Sequence, residues 1–273
     1  MGKPLGHRLL QPFGAEVEGD LSGPLSTADT DLINTLVRTT GLVLARGQTL
    51  SLERQVALLS SFGPVLGGRA VLNYVAPDDG VLGVGPLAYH SDLAFVPQPF
   101  DLISLHAVDV EDGQTCTRFV SGARAYDRLS ETQRARLDLL TATAVSSSAH
   151  GRQVGYHIPG RAIRHDREAI IAHPATGRPV LYVNEGQTAR FNGLSQGESD
   201  RLLEELFEVL YAPGEVFEHA WVRGDIIIWD NILLQHSRPA LDGVTRRKLQ
   251  RVVVAERGLY EQAPDFKPGD PID

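Results

Sequence analysis

Gly224-Asp225-Ile226-Ile227-Ile228-Trp229-Asp230-Asn231-Ile232-Leu233-Leu234-Gln235-His236 opens on a glycine turn, runs through an apolar strand and ends in polar residues and a histidine. β-type runs bounded by turn residues recur at Leu42 to Ala45, Val71 to Val75, Leu102 to Val108, Val180 to Val183, Asp225 to Trp229 and Leu249 to Ala255. Helical periodicity is confined to a few places. These are Leu32 to Arg38 after Ser26 and Thr27, Leu52 to Phe62 with Ser51 as N-cap, Ser130 to Leu140, and Glu198 to Tyr211 after Ser195. Many short strands with a few early and late helices predict an antiparallel sandwich or barrel carrying helices rather than a parallel βαβ sheet. Residues 142 to 166 read as neither helix nor strand. They contain Ser146-Ser147-Ser148, Gly151, Gly155 and Pro159 and form a candidate lid or binding loop, with a merely mobile loop as the competing reading. Glycine and proline are spread along the chain and no repeat recurs, so residues 1 to 273 are expected to form one domain.

A chain of 273 residues, 42% hydrophobic and 22% charged, is large enough to bury a full core, which excludes a disordered chain and a small disulfide-stapled module. The formal net charge is −8 and no long basic run is present, so nucleic acid and anionic membrane surfaces are not expected partners. Cys116 is the only cysteine, which leaves no thiolate-rich metal site and directs any metal chemistry to oxygen and nitrogen ligands. No stretch approaches the roughly 18 apolar residues of a membrane span, and the first twenty residues lack a secretion-signal core, so a cytoplasmic protein is expected.

The residues that could carry chemistry begin with His90-Ser91-Asp92. On a strand, positions i and i+2 face the same side, so both side chains could reach one metal ion. Alone this pair is as well explained by an exposed histidine and carboxylate. A third ligand is best sought at His236, which otherwise reads as a hydrogen-bonded structural histidine. Two imidazoles and a carboxylate on one face of an octahedron leave three adjacent positions open, as a non-haem Fe(II) centre requires. Arg247 and Arg251 follow His236 in Thr245-Arg246-Arg247-Lys248-Leu249-Gln250-Arg251 and share strand parity. A guanidinium buried on a strand needs an anionic partner, and its planar fork suits a carboxylate. A solvated basic edge explains Arg246 and Lys248, and explains Arg247 and Arg251 less well where the strand continues into Val252-Val253-Val254.

Taken in order, the chain resembles the TauD/TfdA-type Fe(II)/2-oxoglutarate-dependent dioxygenases. The similarity runs through Gly41-Leu42-Val43-Leu44-Ala45-Arg46-Gly47-Gln48, Phe62-Gly63, His90-Ser91-Asp92 and Gly113-Gln114-Thr115. It continues through His173-Pro174-Ala175-Thr176-Gly177-Arg178-Pro179-Val180-Leu181-Tyr182-Val183-Asn184 and Gly193-Leu194-Ser195 to Trp229-Asp230-Asn231, His236 and Arg247. The resemblance implies a double-stranded β-helix, a jelly-roll or cupin-like barrel that is mainly β with flanking helices. It implies that His90, Asp92 and His236 ligate iron. Arg247, helped by the Thr115 hydroxyl, would hold the distal carboxylate of 2-oxoglutarate, and Arg251 would face the same cavity near the cosubstrate's first carboxylate or an anionic substrate. The implied cofactors are Fe(II), 2-oxoglutarate and O2.

The implied reaction oxidises an unactivated C–H position of a small, anionic metabolite or natural-product intermediate with release of succinate and CO2. Hydroxylation is the default outcome; desaturation and epoxidation remain open. Halogenating relatives replace the carboxylate ligand with a small residue, so Asp92 speaks against halogenation. Taurine-oxidising members carry a histidine, a tyrosine and an asparagine where this chain has Gly68, Val71 and Pro86, so taurine is not the expected substrate. Ile232 stands where the family often has arginine, a change expected to alter packing behind the site. Arg69 and Arg190 are further candidates for an anion, and His150 or His157 for a substrate contact. Trp221, Trp229, Phe95 and Phe119 read as core packing and Cys116 as buried and inert. Many members of the family form dimers or tetramers, and no stretch here declares an interface, which leaves a homo-oligomer open. The competing readings are a zinc-type hydrolase or isomerase using the same His/Asp/His set, and a non-catalytic jelly-roll binding protein.

Overall fold

The computed structural model describes residues 4–67, 83–146 and 162–265 together with the two-residue strand Tyr74–Val75. In chain order the strands are β1 (Gly6–Leu9), β2 (Ala15–Glu18), β3 (Leu42–Ala45), β4 (Tyr74–Val75), β5 (Leu87–His90), β6 (Leu102–Val110), β7 (Cys116–Ser121) and β8 (Thr141–Val145). They continue as β9 (Arg164–Glu168), β10 (Ile170–Ala172), β11 (Pro179–Leu181), β12 (Thr188–Phe191), β13 (Phe217–Ala220), β14 (Ile226–Asp230), β15 (Leu234–Arg238) and β16 (Arg247–Val254). The helices are α1 (Thr27–Thr40), α2 (Leu52–Leu59), α3 (Gly122–Arg128), α4 (Glu131–Leu137), α5 (Gln196–Leu210) and α6 (Leu259–Gln262).

The apolar run of β14 is continuous because both of its faces are covered. Ile227 and Trp229 point into a core shared with Leu44, Leu105, Leu249 and Val253 on one sheet and Phe119 and Leu234 on another. Ile226 and Ile228 point the other way, against Ile33, Leu36 and Val37 of α1 and Leu58 and Leu59 of α2. A strand buried on both sides loses the alternation of a half-exposed one, and each large apolar side chain so buried contributes about 1.5–3 kcal/mol. β14 accordingly lies inside a seven-stranded sheet of order β1-β2-β3-β14-β6-β16-β4. The facing sheet has four strands in the order β13-β7-β15-β5. Among the described ladders every pairing is antiparallel except β2 with β3. Two sheets enclosing one core, with helices against the outer face of the larger, give the jelly-roll architecture expected from the sequence.

The helices start where the serines place them. Ser26 caps α1 by accepting the Asp29 N–H at 3.1 Å, Ser51 caps α2 by accepting from Arg54, and Ser130 forms a reciprocal capping box with Gln133 on α4. α1 stops at Gly41, whose φ of 94° suits only glycine and whose Cβ position would lie 2.8 Å from Leu234 Cδ2. The predicted helices ending at Phe62 and Leu140 stop earlier, at Leu59 and Leu137.

The reading of residues 142–166 as irregular is corrected. Thr141–Val145 and Arg164–Glu168 are strands paired with each other, with β12 on the far side of β8. Their short polar and small residues carry too little apolar alternation to announce strands, and cross-strand pairing supplies what propensity does not. The middle of the candidate lid of residues 142–166, at 147–161 with His150 and His157, lies outside the described residues, as do Gly68, Arg69 and Val71.

Candidate metal centre

His90 is the last residue of β5 and His236 the middle residue of β15, and the antiparallel register sets them directly opposite each other. Their ring centroids are 4.2 Å apart. Asp92 is not on the strand: β5 ends at His90 and Asp92 lies in the turn that follows. The strand-parity argument for His90 and Asp92 is therefore replaced by turn geometry, which brings the carboxylate back to the same point. Asp92 Oδ1 lies 3.2 Å from His90 Nε2 and 3.7 Å from His236 Nε2. One donor atom from each of the three residues falls within 4.8 Å of the others, and this is the one such group of three among the described residues.

The donor set fits a divalent cation. His90 Nδ1 sits 2.8 Å from Ala88 O, and a carbonyl can only accept, so Nδ1 carries a proton and Nε2 is the nitrogen turned toward the Asp92 carboxylate. That nitrogen and the carboxylate oxygen can hold a cation between them, a proton or a metal ion. Burial works against charge on Asp92, but the Arg251 guanidinium and the two imidazoles overcome it and hold the carboxyl far below the usual carboxylate range. Burial also disfavours a charged His90, and Asp92 more than offsets it, raising the imidazole above its ordinary value. Burial, then the neighbouring His90, push His236 down to about 3 and keep its ring neutral, as a ligand must be.

Arg251 donates to Asp92 Oδ2, which directs Oδ1 at the histidine pair, and its guanidinium lies 5.5 Å from the centre of the Phe100 ring. Arg247, Leu249, Arg251 and Val253 alternate inward along β16, because the irregularity after Lys248 is absorbed on β6. Arg247 is buried and, with Arg251, lines a cavity of about 140 Å³ beside His90, Asp92 and His236. Leu87, Leu105 and Trp229 form its apolar wall. Trp229 packs in the core as expected and also makes a T-shaped contact with His236, the ring centroids 5.1 Å apart.

Sequence reasoning missed three polar residues here, Thr117, Ser237 and Arg238. Arg238 and Thr117 are each two positions beyond a residue singled out from the sequence, His236 and Thr115, so strand parity was the available signal for them. Thr115 is not among the lining residues; it lies just before β7, and its buried hydroxyl has no hydrogen-bond partner among the described residues. Arg190, on β12, does not line the cavity. Cys116 is half-buried rather than buried, and burial pushes its thiol up. His173 is structural: its Nε2 lies 3.0 Å from Asp230 Oδ2, and both side chains are buried. Ile232 is buried in the inner core, as its place behind the site required.

Fold and donor set together define a jelly-roll protein with a two-histidine, one-carboxylate cluster beside an arginine-lined cavity. The family model described as taurine catabolism dioxygenase TauD, TfdA family matches residues 3–253, and the chain belongs to that family. Among curated relatives, the (S)-phenoxypropionate/alpha-ketoglutarate-dioxygenase of Sphingobium herbicidovorans is 28% identical, over 86% of this chain and 89% of that protein. The alpha-ketoglutarate-dependent 2,4-dichlorophenoxyacetate dioxygenase of Cupriavidus pinatubonensis is also 28% identical, over 89% and 95%. The solved structure of AAD-2 in complex with Mn(II) and N-oxalylglycine superimposes with a TM-score of 0.79 at 25% identity, over 93% of this chain and 98% of that one. The chain is thus a 2-oxoglutarate-dependent dioxygenase that uses Fe(II) and O2 and acts on a small molecule. The hydrolase and binding-protein readings fall away. Among the described residues no helix is long and apolar enough to cross a membrane.

Proposed function

We propose that this single-domain enzyme oxidises a C–H bond of a small carboxylate with an apolar body, hydroxylation being the default outcome. His90, Asp92 and His236 would hold Fe(II), and Arg247 would hold the distal carboxylate of 2-oxoglutarate, with the Thr117 hydroxyl, which lines the same cavity, in place of Thr115. When bound, the iron and cosubstrate supply oxidation of an unactivated C–H bond at the expense of O2, with 2-oxoglutarate leaving as succinate and CO2. The protein's own part is placement. Arg251 orients the Asp92 carboxylate through Oδ2 and offers its remaining donors to the substrate carboxylate, while Leu87, Leu105 and Trp229 exclude water from the reacting position.

The observation that carries the substrate class is the charge of the wall: Arg238, Arg247 and Arg251 line the cavity, and Asp92 is the one carboxylate among the described lining residues. The two relatives above support it, since phenoxypropionate and 2,4-dichlorophenoxyacetate are both carboxylates with aromatic bodies. The cofactor assignment is tested without oxygen, by adding Fe(II) and 2-oxoglutarate and following the visible charge-transfer band of the chelate. The band is expected in the wild type and absent from His90→Ala and Arg247→Ala. The substrate class is tested by succinate release across a panel of aryloxy and aliphatic carboxylates and their neutral amides. Arg251→Ala is expected to raise KM for the carboxylate substrate. Loss of 2-oxoglutarate binding in that variant with substrate affinity unchanged would overturn the assignment of Arg251.

A further inference from the structure

Asp92 has no strand to hold it, yet its carboxylate must be aimed to within a few tenths of an ångström if it is to share a metal with two histidines that are fixed by a ladder. The backbone around it is bracketed by one side chain. The Asp92 N–H donates to Asn231 Oδ1 at 2.8 Å, and Asn231 Nδ2 donates back to Asp92 O at 2.9 Å and to Phe100 O at 2.9 Å. A single amide thus supplies both hydrogen bonds that a neighbouring strand would have given and ties the far end of the same loop to them.

The next residue shows why such a clamp is needed. Leu93 has φ of 60° and is the one non-glycine residue at positive φ among those described. A branched side chain in the left-handed region is strained and persists only where its surroundings over-determine it. Asn231 is itself immobilised: it is fully buried, and its own N–H donates to Asp101 O at 2.9 Å. Asp230 beside it accepts the Ile232 and Leu233 N–H groups through Oδ1, and His173 and Arg38 through Oδ2. The turn between β14 and β15 therefore serves both sides of the cluster, carrying His236 on its following strand and holding Asp92 through Asn231.

We infer that Asn231 is a positioning residue for the metal, acting through the Asp92 backbone, an inference that rests on His90, Asp92 and His236 being the ligands. Outer groups that orient metal ligands typically carry about 10–100-fold in metal affinity. The test is Co(II) affinity of the purified apoprotein, read by calorimetry and by the Co(II) visible bands, for Asn231→Ala, Asn231→Asp, Gln55→Ala and His236→Ala. Gln55 is the matched control: a fully buried amide bonded to Ser104, Gln250 and the Gln250 carbonyl on the outer side of the large sheet, the face turned away from the cluster. Asn231→Asp can still accept from the Asp92 N–H and loses the two donated bonds, so it decides the matter if the alanine variant does not fold.

Both Asn231 variants are expected to weaken Co(II) binding at least about tenfold and to alter its bands, with Gln55→Ala within twofold of wild type at a comparable loss of melting temperature. Asn231 variants that bind as Gln55→Ala does would overturn the inference and leave the ligands standing. Unchanged binding in His236→Ala would overturn the ligand assignment itself, and the inference with it.

Discussion

Arg38 joins α1 to the turn that follows β14, and removing it tests how the site is buttressed. Its Nη1 donates to Asp230 Oδ2 at 2.6 Å, and both nitrogens of the fork reach Asp101 at 2.6 Å. The Asp230 side chain is 0% exposed and that of Arg38 13%, whereas Asp101 is 42% exposed. In Arg38→Ala the Asp230 carboxylate stays buried with His173 as its remaining side-chain partner. Breaking a buried pair from one side costs about 3–5 kcal/mol, and the solvated Asp101 arm adds about 1 kcal/mol at most. For a total of about 3–6 kcal/mol, at about 2–4 °C per kcal/mol for a chain of this size, the melting temperature should fall by about 6–24 °C. Urea unfolding of Arg38→Ala, Asp101→Ala and Arg38→Lys at pH 7 measures the free-energy loss, and thermal scans the shift. Asp101→Ala isolates the exposed arm and is expected within about 1 kcal/mol of wild type, with Arg38→Lys between the two because a point charge replaces a two-pronged fork. A loss in Arg38→Ala no larger than in Asp101→Ala would refute the reasoning, since the buried contact would then contribute nothing.

Ile228→Ala should cost about 2–5 kcal/mol in the same assay, because Ile228 is 1% exposed between β14 and the two N-terminal helices; Co(II) affinity of the folded fraction should not change. Gly186→Ala should lower Co(II) affinity by about tenfold, since a Cβ there would lie 2.9 Å from Tyr89 O and 3.2 Å from His90 Cβ and push on the strand that presents the ligand. Wild-type affinity in that variant would show that β5 yields freely. Glu215 provides a pH test: burial raises its carboxyl, but Arg124 and Arg128 outweigh it and hold it below the usual glutamate value of 4.5. A depressed folded value means the stabilisation is complete above the unfolded value and is lost as pH falls through the folded one. Thermal scans of Glu215→Gln should thus differ from wild type at pH 7 and converge with it as the pH falls below 4.5 and through the lowered folded value; a gap independent of pH would exclude the ion pairs as its cause.

The chain determined much of this by itself. Serines 26, 51, 130 and 195 with their spaced apolar residues fix where four helices begin, because capping and periodicity are local. The β-type runs at Leu42 to Ala45 and Asp225 to Trp229 mark strands, and the shared strand parity of Arg247 and Arg251 puts them in one cavity. The tertiary structure alone decided what depends on partners distant in the chain. The hairpin of β8 and β9 forms from residues with little strand signal because each completes the other's ladder. Asp92 reaches the histidines from a turn, not from strand parity, because Asn231, 139 positions away, holds its backbone and Arg251, 159 positions away, takes its second oxygen. Local sequence sets backbone preference and face, but the aim of a carboxylate is set by hydrogen bonds whose other halves arrive only when the sheets close around one core.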